Sequence, residues 1–249
     1  MKHQICRIVL AATALTAGVF LSSCGLFRDT TDSVFDDAED AVATDRAESN
    51  IKTAQFEYEF GDGGTATIRY VAPGNVRIDV LDDLNTAVFC LNSDGASGWM
   101  FLRGEVFDMT ADDIMEMHGA LLQTIPFKMN YQDIFKDAEL EEASDDASGE
   151  ECDVIHAVFR RAPEVKAKLW IGKKSDLLRQ FEVTREDGVY TMQYFDYRTF
   201  GNVTLPSEMF RFTPDGASKL SLISFETNVE IPSYVFQKPE RFSATEGDK

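Results

Sequence analysis

Thr53-Ala54-Gln55-Phe56-Glu57-Tyr58-Glu59-Phe60-Gly61-Asp62-Gly63-Gly64-Thr65-Ala66-Thr67-Ile68-Arg69-Tyr70-Val71-Ala72-Pro73-Gly74-Asn75-Val76-Arg77-Ile78-Asp79-Val80 is the stretch that decides the fold. Phe56, Tyr58 and Phe60 alternate with Gln55, Glu57 and Glu59; Ala66, Ile68 and Tyr70 alternate with Thr67 and Arg69; Val76, Ile78 and Val80 alternate with Arg77 and Asp79. A period of two sends successive side chains to opposite faces of an extended chain. The two breaks, Gly61-Asp62-Gly63-Gly64 and Pro73-Gly74-Asn75, have turn chemistry. Three such strands joined by short turns predict an antiparallel meander with one apolar and one wet face.

Working outward, further strands are expected at 87–91, 98–102, 105–109, 153–160, 165–171, 177–184, 189–198, 208–213 and 219–229. Thr110-Ala111-Asp112-Asp113 reads as a helix start, a hydroxyl cap followed by acids, and Ile114, Met117, Leu121 and Leu122 form its apolar stripe before Pro126. A second short helical piece is expected at 131–135 and an acidic loop at 139–153. The pairs Asp145-Asp146 and Glu150-Glu151 in that loop read as a solvated run rather than a calcium site. Ahead of Thr53, residues 25–50 are acidic and polar, with Val34, Ala38, Ala41 and Val42 at helical spacing. No repeat and no composition break divides the chain after residue 50. The predicted class is mainly β (α+β), a curved antiparallel half-barrel of roughly eleven strands covered by short helices. A sheet this long coils, and its apolar concave face needs a cover. Only the first helix and the segment 110–135 are at hand, so unfilled apolar volume is expected, with that segment gating it. The candidate lining is Phe56, Tyr58, Phe60, Ile68, Tyr70, Ile78, Trp99, Phe101, Ile114, Met117 and Leu121.

The N-terminus reads as an address. Lys2 and Arg7 precede an apolar and small-residue run, 8–21, that is short for a bilayer-spanning helix, and Leu21-Ser22-Ser23-Cys24 follows. Those four residues match a bacterial lipobox, in which the cysteine sulfur takes a diacylglyceryl group and then becomes the new N-terminus. The expected organisation is a lipoprotein signal peptide at 1–23, a lipidated tether and helix at 24–50, and the half-barrel domain at 51–249. Cys24 is the expected lipidation site, and Gly25 after it points to the outer membrane, facing the periplasm. Cys90 and Cys152 remain; in an oxidising compartment they could form a disulfide or stand as two separate buried thiols.

The chain has 249 residues, 44% hydrophobic and 27% charged, with a formal net charge of −19. That acidity excludes a nucleic-acid surface and attraction to anionic headgroups through charge. No phosphate loop, dinucleotide-binding glycine pattern, zinc-protease or nucleophile-elbow motif is present. His118 near the end of a predicted helix and His156 in a predicted strand read as structural. No catalytic residue, metal or cofactor is therefore expected, and a monomer is the expected state.

Three stretches together resemble the LolA/LolB-like superfamily of periplasmic lipoprotein and lipid carriers. Lys168-Leu169-Trp170-Ile171-Gly172-Lys173-Lys174-Ser175-Asp176-Leu177-Leu178 resembles a strand–turn–strand pattern of that family, with Gly172 and Asp176 where the pattern has Asp and Gly. Asn202-Val203-Thr204-Leu205-Pro206-Ser207 with Phe210 resembles the strand that follows it. Asn228, Ile231-Pro232 and Phe236-Gln237-Lys238-Pro239 resemble the closing pattern; beside these three, Gly98-Trp99-Met100-Phe101 with Glu105-Val106 also resembles the family's mid-chain strand pair. The resemblance implies an incomplete barrel holding acyl chains under covering helices. The expected partners are lipid acyl chains or lipoproteins, with the membrane engaged through the anchor. The alternative expectation is an envelope scaffold on the same fold with a dry core.

Overall fold

The structure, a computed structural model, describes residues 30–102, 104–110, 125–141, 145–160 and 162–239. The lipobox with Cys24 and the predicted stripe Ile114, Met117 and Leu121 lie outside them. The described strands are β1 Thr53–Phe60, β2 Thr65–Val71, β3 Asn75–Leu81, β4 Ala87–Ser93, β5 Gly98–Leu102, β6 Glu105–Asp108 and β7 Phe135–Leu140. They continue with β8 Asp145–Ala147, β9 Glu150–Phe159, β10 Ala162–Gly172, β11 Leu178–Arg185, β12 Gly188–Phe200, β13 Val203–Thr213 and β14 Gly216–Thr227. All belong to one sheet of order β6-β5-β4-β3-β2-β1-β14-β13-β12-β11-β10-β9-β7, with β8 paired to β9.

One meander walks from β1 out to the β6 edge, and a second returns from the β7 edge to β14. They join where the first and last strands pair, with Phe56 opposite Phe225. The edges do not meet, so the sheet is a curved half-barrel, as the alternation indicates. It has 14 strands among the described residues, rather than roughly eleven. β7 and β8 fall within or beside the segment read as an acidic loop, and β9 begins at Glu150.

Helices α1 Thr31–Val42, α2 Asp45–Asn50 and α3 Tyr131–Ile134, with 3₁₀ turns at Pro126–Lys128 and Ser233–Phe236, complete the described elements. The single helix expected before Thr53 is two. Ala43 is extended, and Thr44 Oγ1 starts a new helix by accepting from Ala47 N at 3.4 Å. α1 buries Val34, Phe35 and Ala38 in a cluster with Tyr131, Phe135, Ile155, Leu169 and Ile171. Phe35 stacks on Tyr131 with ring centroids 4.9 Å apart. A second inner cluster joins Ala47 of α2 to Phe56, Tyr70, Val76, Phe127 and Leu205. Burying each large apolar side chain stabilises the fold by about 1.5–3 kcal/mol, so the two clusters fasten the covering helices to the sheet.

Cys90 and Cys152 are both free and buried. They sit in different clusters, Cys90 with Trp99 and Phe101 and Cys152 with Val154 and Trp170, so the disulfide left open by the sequence does not form.

Candidate functional site

Directly opposed residues of an antiparallel pair share a face, so the register defines the inner wall. One inward row runs Phe56–Ile68–Ile78–Leu91–Met100–Phe107 from β1 to β6, each residue opposite the next. A second runs Tyr58–Ala66–Val80–Phe89–Leu102. Both begin in sealed core and end half-bare. Phe56 is 0% exposed, whereas Leu102 is 39% and Phe107 43% exposed. Between those ends Ile78, Val80, Phe89 and Met100 are partly buried, whereas Leu91 is sealed at 4% exposure.

The sealed end is closed by the 3₁₀ turn. Phe127 stacks on Phe56 at 6.1 Å, meets Tyr70 edge-on at 5.9 Å and lies 6.3 Å from Phe225. Lys128 Nζ, 2.6 Å from Glu48 Oε1 and 5.7 Å over the Tyr70 ring, ties this turn to α2. Phe56, Tyr58, Ile68 and Tyr70 are thus core beneath the plug, while Phe60 and Ile78 are partly buried at the inner face.

Trp99 and Phe101 are not part of this wall. Trp99 lies opposite Asn92, which lies opposite Arg77, and Phe101 lies opposite Cys90, which lies opposite Asp79. They belong to the outer face, where the Arg77 guanidinium sits 5.1 Å from the Trp99 ring. The residue of β5 that points inward between them is Met100. Sequence reasoning also passed over Val80, Phe89, Leu102 and Phe107, and from the returning meander Leu205, Met209, Leu222 and Phe225. For the first of these the signal was present, since Val80 continues the alternation of Val76 and Ile78.

Four phenols mark where the two inner clusters meet. Tyr58 belongs to the first cluster, and Tyr131 and Tyr194 to the second. Burial pushes Tyr58, Tyr131, Tyr194 and Tyr197 up from the usual phenol range, and the nearby Tyr194 adds to the rise of the other three. They stay neutral, able to donate; the Tyr197 hydroxyl donates to the Leu178 carbonyl. Among the described residues no group of three or more His, Cys, Asp and Glu could hold a metal ion, and no helix is long and apolar enough to cross a membrane. His156 is half exposed and pairs with Glu141; His118 lies outside the described residues.

An open, curved antiparallel sheet with short helices laid into its concavity defines a LolA-like fold, and this chain has it. A DUF1329 family protein from Desulfovibrio piger is similar with a TM-score of 0.57 at 11% identity, over 84% of this chain and 98% of its own. A LolA superfamily protein from Nitrosomonas europaea gives 0.55 at 11% identity, over 84% and 98% of the two chains. A domain from Vibrio parahaemolyticus named for outer membrane lipoprotein sorting gives 0.50 at 12% identity, over 81% and 95%. No family model and no curated protein matches the sequence.

Proposed function

We propose that this protein is a non-enzymatic, lipid-anchored carrier of the bacterial envelope, which takes acyl chains of lipids or lipoproteins against its concave face. The observation that carries the reading is the graded inner wall, sealed at Phe56 and half-bare at Leu102 and Phe107. A protein that only needed a core would have little reason to run half-exposed apolar side chains out to the sheet edge. Each methylene taken from water onto that wall stabilises the complex by about 0.8 kcal/mol. Lipidation at Cys24 would hold the protein at the outer membrane, facing the periplasm. The name of the Vibrio parahaemolyticus domain supports lipoprotein localisation as the process served.

The test is to purify the protein without detergent exchange, extract it and look for acyl-bearing molecules by mass spectrometry. A stoichiometric lipid or lipoprotein that is lost in Phe107→Asp, a half-exposed position whose change leaves the core intact, is the expected result. The sealing of Phe56 and Tyr70 favours one other reading, a scaffold with a dry core. That reading predicts an empty protein that takes up no added fatty acid and co-purifies with a protein partner.

A further inference from the structure

The half of the inner wall that returns from the β7 edge ends differently from the half that runs to β6. Phe60 of β1 lies opposite Leu220 of β14, Leu220 opposite Met209 of β13, and Met209 opposite Tyr194 of β12. All four are half-buried. Two positions further along β13, and so on the same face, stands Arg211, with Met192 opposite it on one side and Ser218 on the other. Met192 in turn lies opposite Phe181, which packs against the cluster that holds Phe35. The row Phe181–Met192–Arg211–Ser218 therefore passes from apolar wall to a guanidinium and a hydroxyl, at the end of the sheet closed by the turns 186–187 and 214–215.

Arg211 is exposed, and among the described residues it has no hydrogen bond, ion pair or ring contact. Its neighbours are engaged elsewhere. Lys219 pairs with Glu208 at 2.5 Å on the outer face, and Arg185 lies 5.4 Å over the Tyr190 ring. Asp187, in the adjoining turn, accepts from the Tyr190 hydroxyl at 2.7 Å, and Asp215 does not pair with Arg211 either. A guanidinium presents its donors in a fixed fork that matches a carboxylate or a phosphate two bonds at a time. The formal charge of −19 exerts no long-range pull on anions. Contact, however, is decided within the roughly 8 Å over which a charge is felt at physiological salt. The place selects a molecule of two parts, an acyl chain for Phe60, Leu220 and Met209 and an anionic head for Arg211.

We propose that Arg211 is the headgroup contact of the acyl-binding face, which makes the cargo an anionic amphiphile, a carboxylate or phosphate carried on a long acyl chain. The inference rests on the carrier reading and narrows it. The full-length protein, in a nonionic detergent at fixed concentration, is loaded with a pyrene-labelled monoacylglycerol as an uncharged reporter. Palmitate, palmitoyl lysophosphatidic acid and uncharged monopalmitin are then compared as displacers. Their partitioning into detergent is the same for every variant and cancels between variants. The reporter and monopalmitin should bind wild type and Arg211→Gln alike. At least one of the two anions should need about tenfold more to displace the reporter from Arg211→Gln, the effect of losing a charge-assisted hydrogen bond, and Arg211→Lys should recover much of it. A shift confined to palmitate identifies a carboxylate cargo, and one confined to the lysophosphatidic acid a phosphate cargo. Equal displacement from wild type and Arg211→Gln by both anions overturns the proposal and leaves the carrier reading standing, with Arg211 a solvated surface group. An equal loss for monopalmitin also overturns it, since Arg211 would then act through packing. A wild type that binds no reporter overturns the carrier reading, and this inference falls with it.

Discussion

Phe127→Ala separates a ligand-accepting interior from a merely packed one. The ring is buried against Phe56, Tyr70 and Phe225 with centroids 6.1, 5.9 and 6.3 Å away. Deleting a buried phenyl group costs about 3–5 kcal/mol, the higher values applying where neighbours cannot collapse into the space. Here the neighbours sit on adjacent strands β2, β1 and β14 of one sheet, held in register by backbone hydrogen bonds. The turn above is fastened by the Lys128–Glu48 pair. A loss of about 4 kcal/mol is expected, out of a total stability of about 5–15 kcal/mol, so the variant should fold but marginally. If the wall continues beneath the plug, the vacated space is room for an acyl chain. A fatty acid at 100 times its dissociation constant would then restore about 2.7 kcal/mol. Urea unfolding followed by circular dichroism, with and without palmitic acid, measures both terms. Leu84→Ala, at a 78%-exposed position, is the control and should stay within about 0.5 kcal/mol of the wild type. A loss under about 1 kcal/mol would show that Phe127 is not the plug. A full loss with no recovery by the fatty acid would refute continuity between plug and groove and favour the dry scaffold.

Three further outcomes are expected. Glu150 is pushed up by burial but pulled further down by donation from Ser175 Oγ, the amides of Lys174 and Ser175, and Arg179, so its carboxyl titrates below the usual range. A carboxyl lowered by folding contributes stability that is complete above its ordinary value, about 4.3, and lost as pH falls through the lower folded value. Wild-type stability should therefore fall more steeply below about pH 4 than that of Glu150→Gln, as read by urea midpoints; equal slopes would contradict this. Burial holds the Cys90 thiol up to about 12, helped by Asp79, and the Cys152 thiol up to about 11. Both should resist Ellman's reagent at neutral pH and react fully in denaturant, whereas an absence of free thiol in denaturant would reveal a disulfide. Cys24→Ala should convert the exported protein to a soluble periplasmic form, and if that variant still fractionates with membranes the proposed anchor is wrong.

The alternation of 53–80 was legible because each strand there has one wet face, and that half of the sheet follows the pattern residue by residue. β7 was not, because Phe135–Leu140 is an edge strand carrying Lys136, Asp137 and Glu139, with Asp137 at a left-handed φ of 50°. β13 starts at Val203 rather than at the expected 208, and it runs through Pro206. Proline is tolerated there since 203–207 pairs only with β12, Pro206 opposite Tyr197, before β14 joins at Glu208. Trp99 and Phe101 were placed on the wrong face because Trp-Met-Phe-Leu has no alternation; only its register against Asn92 and Cys90 sets the direction. Gly172 has a structural cause, whereas Asp176 keeps a backbone conformation suited to the glycine of the pattern. A Cβ at Gly172 would lie 2.6 Å from Glu150 Cδ, and Asp176 adopts φ 58°, a conformation that favours glycine. The carboxylate expected at 172 is thus supplied from Glu150, which accepts from the turn amides of Lys174 and Ser175 at 2.9 and 2.8 Å.

The pairing of β1 with β14 decides where the two ends of the domain go, because it brings the chain in and out at the middle of the sheet rather than at an edge. The segment before β1 turns inward and contributes α1 and α2 to the cover of the concave face, whereas the segment after β14 turns outward and becomes the strap over Trp99. Under anchoring at Cys24, Thr31 at the start of α1 can lie no more than about 25 Å of extended chain from the acylated residue. A cover helix on so short a leash keeps the concave face close to the membrane surface, where an acyl chain has the shortest aqueous path to cross. Lengthening that leash with a Gly/Ser insert after Gly25 should leave folding and lipid capacity intact while slowing uptake from vesicles. Uptake insensitive to leash length would show that approach to the bilayer is governed by something other than the anchor.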